Sequence, residues 1–491
     1  MADRNTIRGD TILGDAILGC GDDLARRKAH PYAGRAPITP PDEKRKVLAS
    51  LNKGRDNGRG EAVEVVYYFE VVHHGAPLDG IANAARMVLE HGTLKPWSME
   101  GDPSTQKPAD YDEHMSWATD IGLLGHNGHE GVESGLVTIA YPLKFFDKRG
   151  DGKPPLAQLF MSIASEPFSA FSFYQGARIV DVRIPPGLRA RFLGQRWSHR
   201  RVRDYLGLRD DEPLIGTIVK PKTGLGPELF SRCVVDAARA GASFTKADEN
   251  LHLELRDVPR YVGRVVHDLQ AAGFDLGREG APRGRRFLFA PHITADPDRI
   301  FEYARAAVES GANALMFSPY YSGGFLALED VAERFDVPVY AHTAGMNVQC
   351  GSPTWGIDPR VMYLLSALSG AAFMQLTTVG GYLKPDDAEK PAILECLRAH
   401  GLEGDDGMTL ALAGGMGPKV LGKNLKVLGD RGRMILAGTS VYSHPLGPAA
   451  GVKALFLSYR AYRERGIVDE TGLREYARSL GDEGRALLAA L

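Results

Sequence analysis

From Pro213 onward the chain alternates short apolar runs with longer helical patterns, and few folds accommodate that beat. The apolar runs are Leu214–Lys220, Ser243–Lys246, Phe287–Pro291, Ala314–Ser318, Val337–His342, Ala372–Thr377, Thr409–Ala413 and Met434–Ala437. Between them lie helical patterns at Pro227–Ala240, Val258–Ala272, Pro297–Ser310, Pro359–Ser369, Asp386–His400 and Lys419–Leu428, several opened by proline and closed by glycine. Eight β/α units in about 250 residues match the size of one closed (β/α)8 TIM barrel. An open doubly wound sheet is the alternative, but no GxGxxG follows the first strand.

The preceding residues have a different texture. Residues 1–60 are polar and rich in Pro, Gly, Arg and Lys, which reads as an arm. The β-rich run Glu61–Val72, a helical pattern over Leu78–His91, strands at Gly135–Leu143 and Ala177–Ile184, and a helix at Leu156–Ile163 indicate a small α+β domain of ferredoxin-like type. The expected division is therefore an arm over 1–60, an α+β domain over 61–205, the barrel over 206–470 and a helical tail over 471–491. A length of 491 residues, 44% of them hydrophobic and 24% charged, suits such a multidomain globular protein. The net charge of −2 gives no electrostatic footprint for nucleic acid or membrane. Cys20, Cys233, Cys350 and Cys396 are scattered without a CxxC pair, which suggests reduced thiols. No apolar run approaches 18 residues, and the N-terminus lacks the apolar centre of a signal peptide, so the expected location is the cytoplasm.

If the fold is a barrel, active groups belong at the C-terminal ends of its strands. The second strand ends in Ser243-Phe-Thr-Lys-Ala-Asp-Glu-Asn250, which sets Lys246 beside Asp248 and Glu249. Two carboxylates there suit a hard cation such as Mg²⁺; a solvated ion cluster is the alternative. The first strand ends in Gly216-Thr-Ile-Val-Lys-Pro-Lys222, presenting Lys220 and Lys222 on one side of an extended segment, where they could stabilise an anionic intermediate or form a basic turn. The third and fifth end in histidines, His292 and His342, and His342 is the better candidate for chemistry. The last two ends are glycine-rich, Ala411-Leu-Ala-Gly-Gly-Met-Gly-Pro418 and Ile435-Leu-Ala-Gly-Thr-Ser440. Loops after strands seven and eight of barrels commonly hold a phosphate on backbone N–H groups, which makes Gly414, Gly415 and Gly438 candidates.

With these residues in view, the chain over about 61–465 resembles the large subunit of ribulose-bisphosphate carboxylase (RuBisCO) and its relatives. Gly-Thr-Ile-Val-Lys-Pro-Lys is similar to that family's first-strand motif, and Phe-Thr-Lys-Ala-Asp-Glu to its metal-site motif. The resemblance implies that CO₂ carbamylates Lys246, which with Asp248 and Glu249 then forms an all-oxygen Mg²⁺ site. It implies that Lys220 assists proton transfer at an enediolate with support from Lys222, and that His342 is the fifth-strand histidine. It also implies a homodimer, because Glu90 resembles the acid that one subunit lends to its partner's barrel.

The sequence departs from the carboxylase pattern at specific places. Thr343 stands where carboxylases have an arginine and Gln375 where they have a histidine, two positions that hold one of two substrate phosphates. Tyr382 occupies the position of the lysine that positions CO₂, and Lys384 lies two places on. Glu166 replaces an asparagine and Ala413 a serine. The expectation is a RuBisCO-like protein that enolises a monophosphorylated sugar or sugar acid, leading to isomerisation, tautomerisation or decarboxylation. A true carboxylase and a catalytically silent dimeric scaffold are the alternatives.

Overall fold

A computed structural model of the chain describes residues 31–55, 60–98, 106–127, 131–165, 168, 172–277, 285–380 and 389–491. The N-terminal layer contains helix α1 (Pro41–Leu51), strand β1 (Ala62–Val72), α2 (Asp79–His91), β2 (Trp117–Asn127), β3 (Val132–Pro142), α3 (Leu156–Ile163) and β4 (Tyr174–Arg183). Strand β1 lies between β3 and β4, antiparallel to both, with β2 outside β3. This βαββαβ arrangement is the ferredoxin-like pattern. Strand β2 escaped the sequence reading because Asp120, Gly122, Gly125 and His126 interrupt its apolar run; it is an edge strand, where apolar character is least required.

Helix α4 (His199–Leu206) leads into the barrel, whose strands are β5 (Ile215–Ile218), β6 (Phe244–Lys246), β7 (Leu288–Ala290), β8 (Leu315–Phe317), β9 (Val339–Ala341), β11 (Phe373–Thr377), β12 (Thr409–Ala413) and β13 (Arg433–Ala437). All are parallel to their neighbours in one eight-stranded sheet running β8-β9-β11-β12-β13-β5-β6-β7. A parallel bridge between His292 and Met316 joins β7 to β8 and brings the two ends of the sheet together. These are the eight strands expected from the sequence: Thr409–Ala413 has the expected bounds, the last strand starts one residue earlier, at Arg433, and the other six are shorter than expected by one to three residues. The crossover helices are α5 (Pro227–Arg239), α6 (Val258–Ala271), α7 (Ile300–Glu309), α8 (Gly324–Phe335), α9 (Pro359–Leu368), α10 (Glu389–Ala399) and α11 (Pro418–Leu428). Helices α12 (Pro448–Arg465), α13 (Glu470–Ser479) and α14 (Arg485–Ala490) follow. Inside the barrel, Phe244, Tyr340 and Phe373 are fully buried and in mutual ring contact. They fill the interior as packed core.

The two layers share a sheet. Strand β10 (Trp355–Ile357), inserted between β9 and α9, pairs in parallel with β4 and becomes the fifth strand of the N-terminal sheet. Arg178 of β4 is buried at this seam, donating to Tyr32 Oη at 2.7 Å, Trp355 O at 2.9 Å and Cys350 O at 3.1 Å. Tyr32 in turn donates to Asp358 Oδ2 at 2.7 Å. A buried guanidinium so fully bonded fixes the approach of the layers.

Within residues 1–60, expected as an arm, the described part 31–55 packs on the sheet. Ile38 N bonds Leu123 O at 2.8 Å, Thr39 Oγ1 accepts from Leu123 N at 2.7 Å, and the Asn52 amide brackets Ala118 at 2.8 and 2.9 Å. These bonds cap the open edge of β2, the usual remedy for an exposed edge. Backbone and amide bonds carry this contact, so a polar composition conceals it. Among the described residues no helix is long and apolar enough to cross a membrane.

Glu329 of α8 is only 3% exposed, and its Oε2 has no hydrogen-bond partner. Burial pushes its carboxyl up to about 7 from 4.5. The folded protein thus retains a proton that the unfolded chain releases, and stability falls as pH rises from 4.5 through 7. Glu329→Gln should stabilise the protein relative to wild type by about 2 kcal/mol more at pH 8 than at pH 5 in urea unfolding. Equal differences at both pH values would contradict this assignment.

Candidate active site

The parallel ladder places Ile218, Lys246 and Ala290 side by side on β5, β6 and β7, so the segments that follow emerge at one mouth. Strand β6 stops at Lys246, and the turn beyond it presents Asp248 and Glu249. Lys246 is fully buried. Its ammonium lies 3.5 Å from Glu249 Oε2, donates to Ala247 O at 3.1 Å and stands 5.5 Å above the Tyr340 ring. Burial lowers its pKa to about 8, against the opposing pull of Glu249 and Asp248. The neutral amine is therefore accessible near physiological pH.

Asp248 is almost fully buried and accepts from Lys220, and its Oδ1 accepts from Asn250 N and Nδ2 at 3.0 Å each. Burial alone would raise this carboxyl; the bonds from Lys220 and Asn250 outweigh it and hold the pKa low. Glu249 is likewise pushed up by burial but held well below the usual carboxylate range by His342 and Lys246. His342 Nε2 lies 3.3 Å from Glu249 Oε2 while its Nδ1 accepts from Ala344 N at 3.1 Å. That pattern makes His342 a neutral imidazole donating through Nε2, consistent with burial lowering its pKa. It orients Glu249.

A cavity of about 460 Å³ opens above these groups, and its wall includes Lys220, Lys222, Asp248, Glu249, Gln375, Gly414, Gly415 and Gly438. Eight of the residues singled out in the sequence thus meet at one wall. Gly414 and Gly415 have φ of +83° and +86°, a left-handed conformation that disfavours side chains, and a Cβ on Gly438 would come 3.0 Å from Lys220 Cε. Gly438 therefore brings bare backbone close to Lys220. Lys246 and His342 contact the wall through Glu249, and Thr343 follows His342 off the wall. Glu90, on the last turn of α2, sits 4.0 Å from Lys95 and does not line this cavity. Glu166, Tyr382 and Lys384 fall outside the described residues. His292 serves the fold: it sits in the closing bridge and bonds Leu251 O through Nδ1 at 3.0 Å.

Sequence reasoning missed Asn250, which fixes Asp248, and Tyr340, the floor beneath Lys246. It also missed Lys419, Thr439 and Ser440, further wall residues. Lys419 immediately follows the first glycine motif, and Thr439 and Ser440 close the second, so reading each loop one turn into its helix would have marked them as wall residues. Two carboxylates suit a hard, oxygen-seeking cation. Among the described residues no three His, Cys, Asp or Glu side chains form a metal-holding group.

Comparison with known proteins agrees with this architecture. The family described as ribulose bisphosphate carboxylase large chain, catalytic domain, matches residues 200–488, more than half of the chain. A ribulose bisphosphate carboxylase from Methanocaldococcus jannaschii is 28% identical over 431 residues, 85% of this chain and 95% of that protein. A 2,3-diketo-5-methylthiopentyl-1-phosphate enolase from Microcystis aeruginosa is 30% identical over 296 residues, 59% of this chain and 71% of its own. Among solved structures, a rubisco-like protein from Alicyclobacillus acidocaldarius superposes with a TM-score of 0.70 at 23% identity, covering 87% of this chain and 99% of its own. By the family match, and with a fold that agrees, the chain belongs to the ribulose bisphosphate carboxylase large-chain family.

Proposed function

We propose that this protein is a Mg²⁺-dependent enzyme that enolises a monophosphorylated sugar or sugar acid, giving isomerisation, tautomerisation or decarboxylation rather than CO₂ fixation. One observation carries the reading: three lysines, two carboxylates and two glycine loops share one cavity, while Gln375 and Thr343 offer no cation for a second phosphate. Two relatives support it, the Microcystis aeruginosa enolase and a 3-oxo-isoapionate-4-phosphate decarboxylase from Rhizobium rhizogenes, because each name specifies a single phosphate.

Mg²⁺ held by Asp248, Glu249 and a CO₂-derived carbamate on Lys246 would supply positive charge beside the substrate's carbonyl. Lys246 is suited to accept CO₂ because only the neutral amine reacts, and burial favours that form. Once carbamylated, Lys246 would be anionic and would be placed to take a proton from carbon. Lys220, on the opposite side of Asp248, is placed to return a proton or to stabilise the enolate oxygen, with Lys222 adding positive charge. Gly414, Gly415 and Gly438 would receive the phosphate on backbone N–H groups. His342 keeps Glu249 in register, and Gln375 offers a neutral amide to the far end of the substrate. Glu90 completes the site across a homodimer, reaching the mouth of the partner subunit's barrel.

A carboxylase reading has support from the Methanocaldococcus jannaschii relative. It is disfavoured by the neutral residues at positions 343 and 375, which leave a second phosphate without a cation. Incubation with ribulose bisphosphate and ¹⁴CO₂ should give no acid-stable product, and incorporation would restore that reading.

The enolising reading predicts that, with Mg²⁺ and bicarbonate, the protein exchanges a carbon-bound proton of at least one ketose or keto-acid monophosphate with D₂O. Lys246→Ala should reduce that exchange by about 10²–10⁴-fold; unchanged exchange would sink the mechanism. Mixing refolded Lys246→Ala and Glu90→Gln subunits should restore about a quarter of wild-type activity, since half the dimers form with one intact site each. No recovery would place Glu90 outside the partner's site.

A further inference from the structure

We propose that Lys419 is a phosphate-binding residue and that Glu470 is the counter-ion it releases when phosphate arrives, so that the C-terminal helices respond to occupancy of the site. This inference rests on the phosphate reading of the glycine loops and extends it.

Lys419 is the second residue of α11, immediately after the Gly414–Gly417 loop, and it lines the same cavity as Gly414, Gly415, Gly438 and Lys222. Its ammonium lies 3.1 Å from Glu470 Oε2, at the first residue of α13. The two side chains are 48% and 41% exposed, so water screens the pair and it exchanges readily. A phosphate at the glycine loops would offer Lys419 a more highly charged partner.

Glu470 can lose Lys419 without being stranded. Arg474, one turn along α13, donates to the same carboxylate, with Nε at 3.1 Å. Arg474 also donates to the backbone oxygen of Leu491, and Ala490 forms part of the cavity wall. The path from phosphate to Lys419, Glu470, Arg474 and the chain end thus returns to the cavity. Exchange at Lys419 shifts the balance at Arg474, and with it the hold on the residue next to Ala490.

The test is titration of the full-length protein with inorganic phosphate by calorimetry, comparing wild type with Lys419→Ala, Lys419→Arg, Glu470→Gln and Gly438→Ala. Lys419→Ala should weaken phosphate binding about tenfold, and Lys419→Arg should largely restore it. Glu470→Gln should tighten binding about two- to threefold, because the competing carboxylate is gone. Phosphate should alter amide exchange across residues 470–491 in wild type and not in Lys419→Ala. If Gly438→Ala weakens binding and Lys419→Ala does not, this inference fails while the glycine-loop reading stands. If neither variant weakens it, both fail. Weaker binding by Glu470→Gln would overturn the exchange of partners.

Discussion

A buried ammonium organises this molecule. Moving a lysine out of water costs several kcal/mol unless neighbours compensate, and Lys246 is fully buried at the end of a barrel strand. Its compensation comes from Glu249, the Ala247 carbonyl and the face of Tyr340. Those groups are constrained in turn: His342 holds Glu249, and Asn250 and Lys220 hold Asp248. The result is a chain of fixed charges across the mouth, and the low pKa of Lys246 follows from the same burial. Burial thus makes the neutral amine of Lys246 accessible.

The rest of the fold keeps that arrangement in place. Register between β5, β6 and β7 brings the lysine strand and the acid turn together, and the Lys220–Asp248 bond and a 2.7 Å contact between the Thr217 and Thr245 hydroxyls reinforce the backbone ladder. The N-terminal layer is joined to the barrel by a shared strand and by Arg178, so the sheet that carries the α2 helix has a defined position relative to the barrel. Lys153 adds a surface tie to Asp330 and Glu333 of α8, at 2.6 and 3.2 Å. Such exposed pairs contribute little to stability, and the buried guanidinium carries the junction.

Much of this was legible in the sequence because parallel barrel strands are buried on both faces and read as continuous apolar runs. The eight runs after Pro213 are of that kind. What escaped was set by tertiary contact. Strand β10 has only three residues and exists because β4 offers it an edge. Strand β2 alternates poorly because residues 38–52 cover its outer edge. At the site, charged and glycine residues announced themselves through chemistry and spacing. Tyr340 and Asn250 did not, since a tyrosine in a strand and an asparagine in a turn have ordinary structural uses. Glu90 lies on a separate layer and does not line the cavity beside Lys246.

The proposed function turns on one chemical claim: Lys246 takes up CO₂ and joins Asp248 and Glu249 in holding a metal beside substrate. The most direct measurement is ¹³C NMR of the protein with ¹³C-bicarbonate and Mg²⁺. A carbamate resonance that appears in wild type, is strengthened by Mg²⁺ and is missing from Lys246→Ala is the predicted result. A wild-type spectrum without that resonance, or one that Lys246→Ala leaves unchanged, would contradict the account.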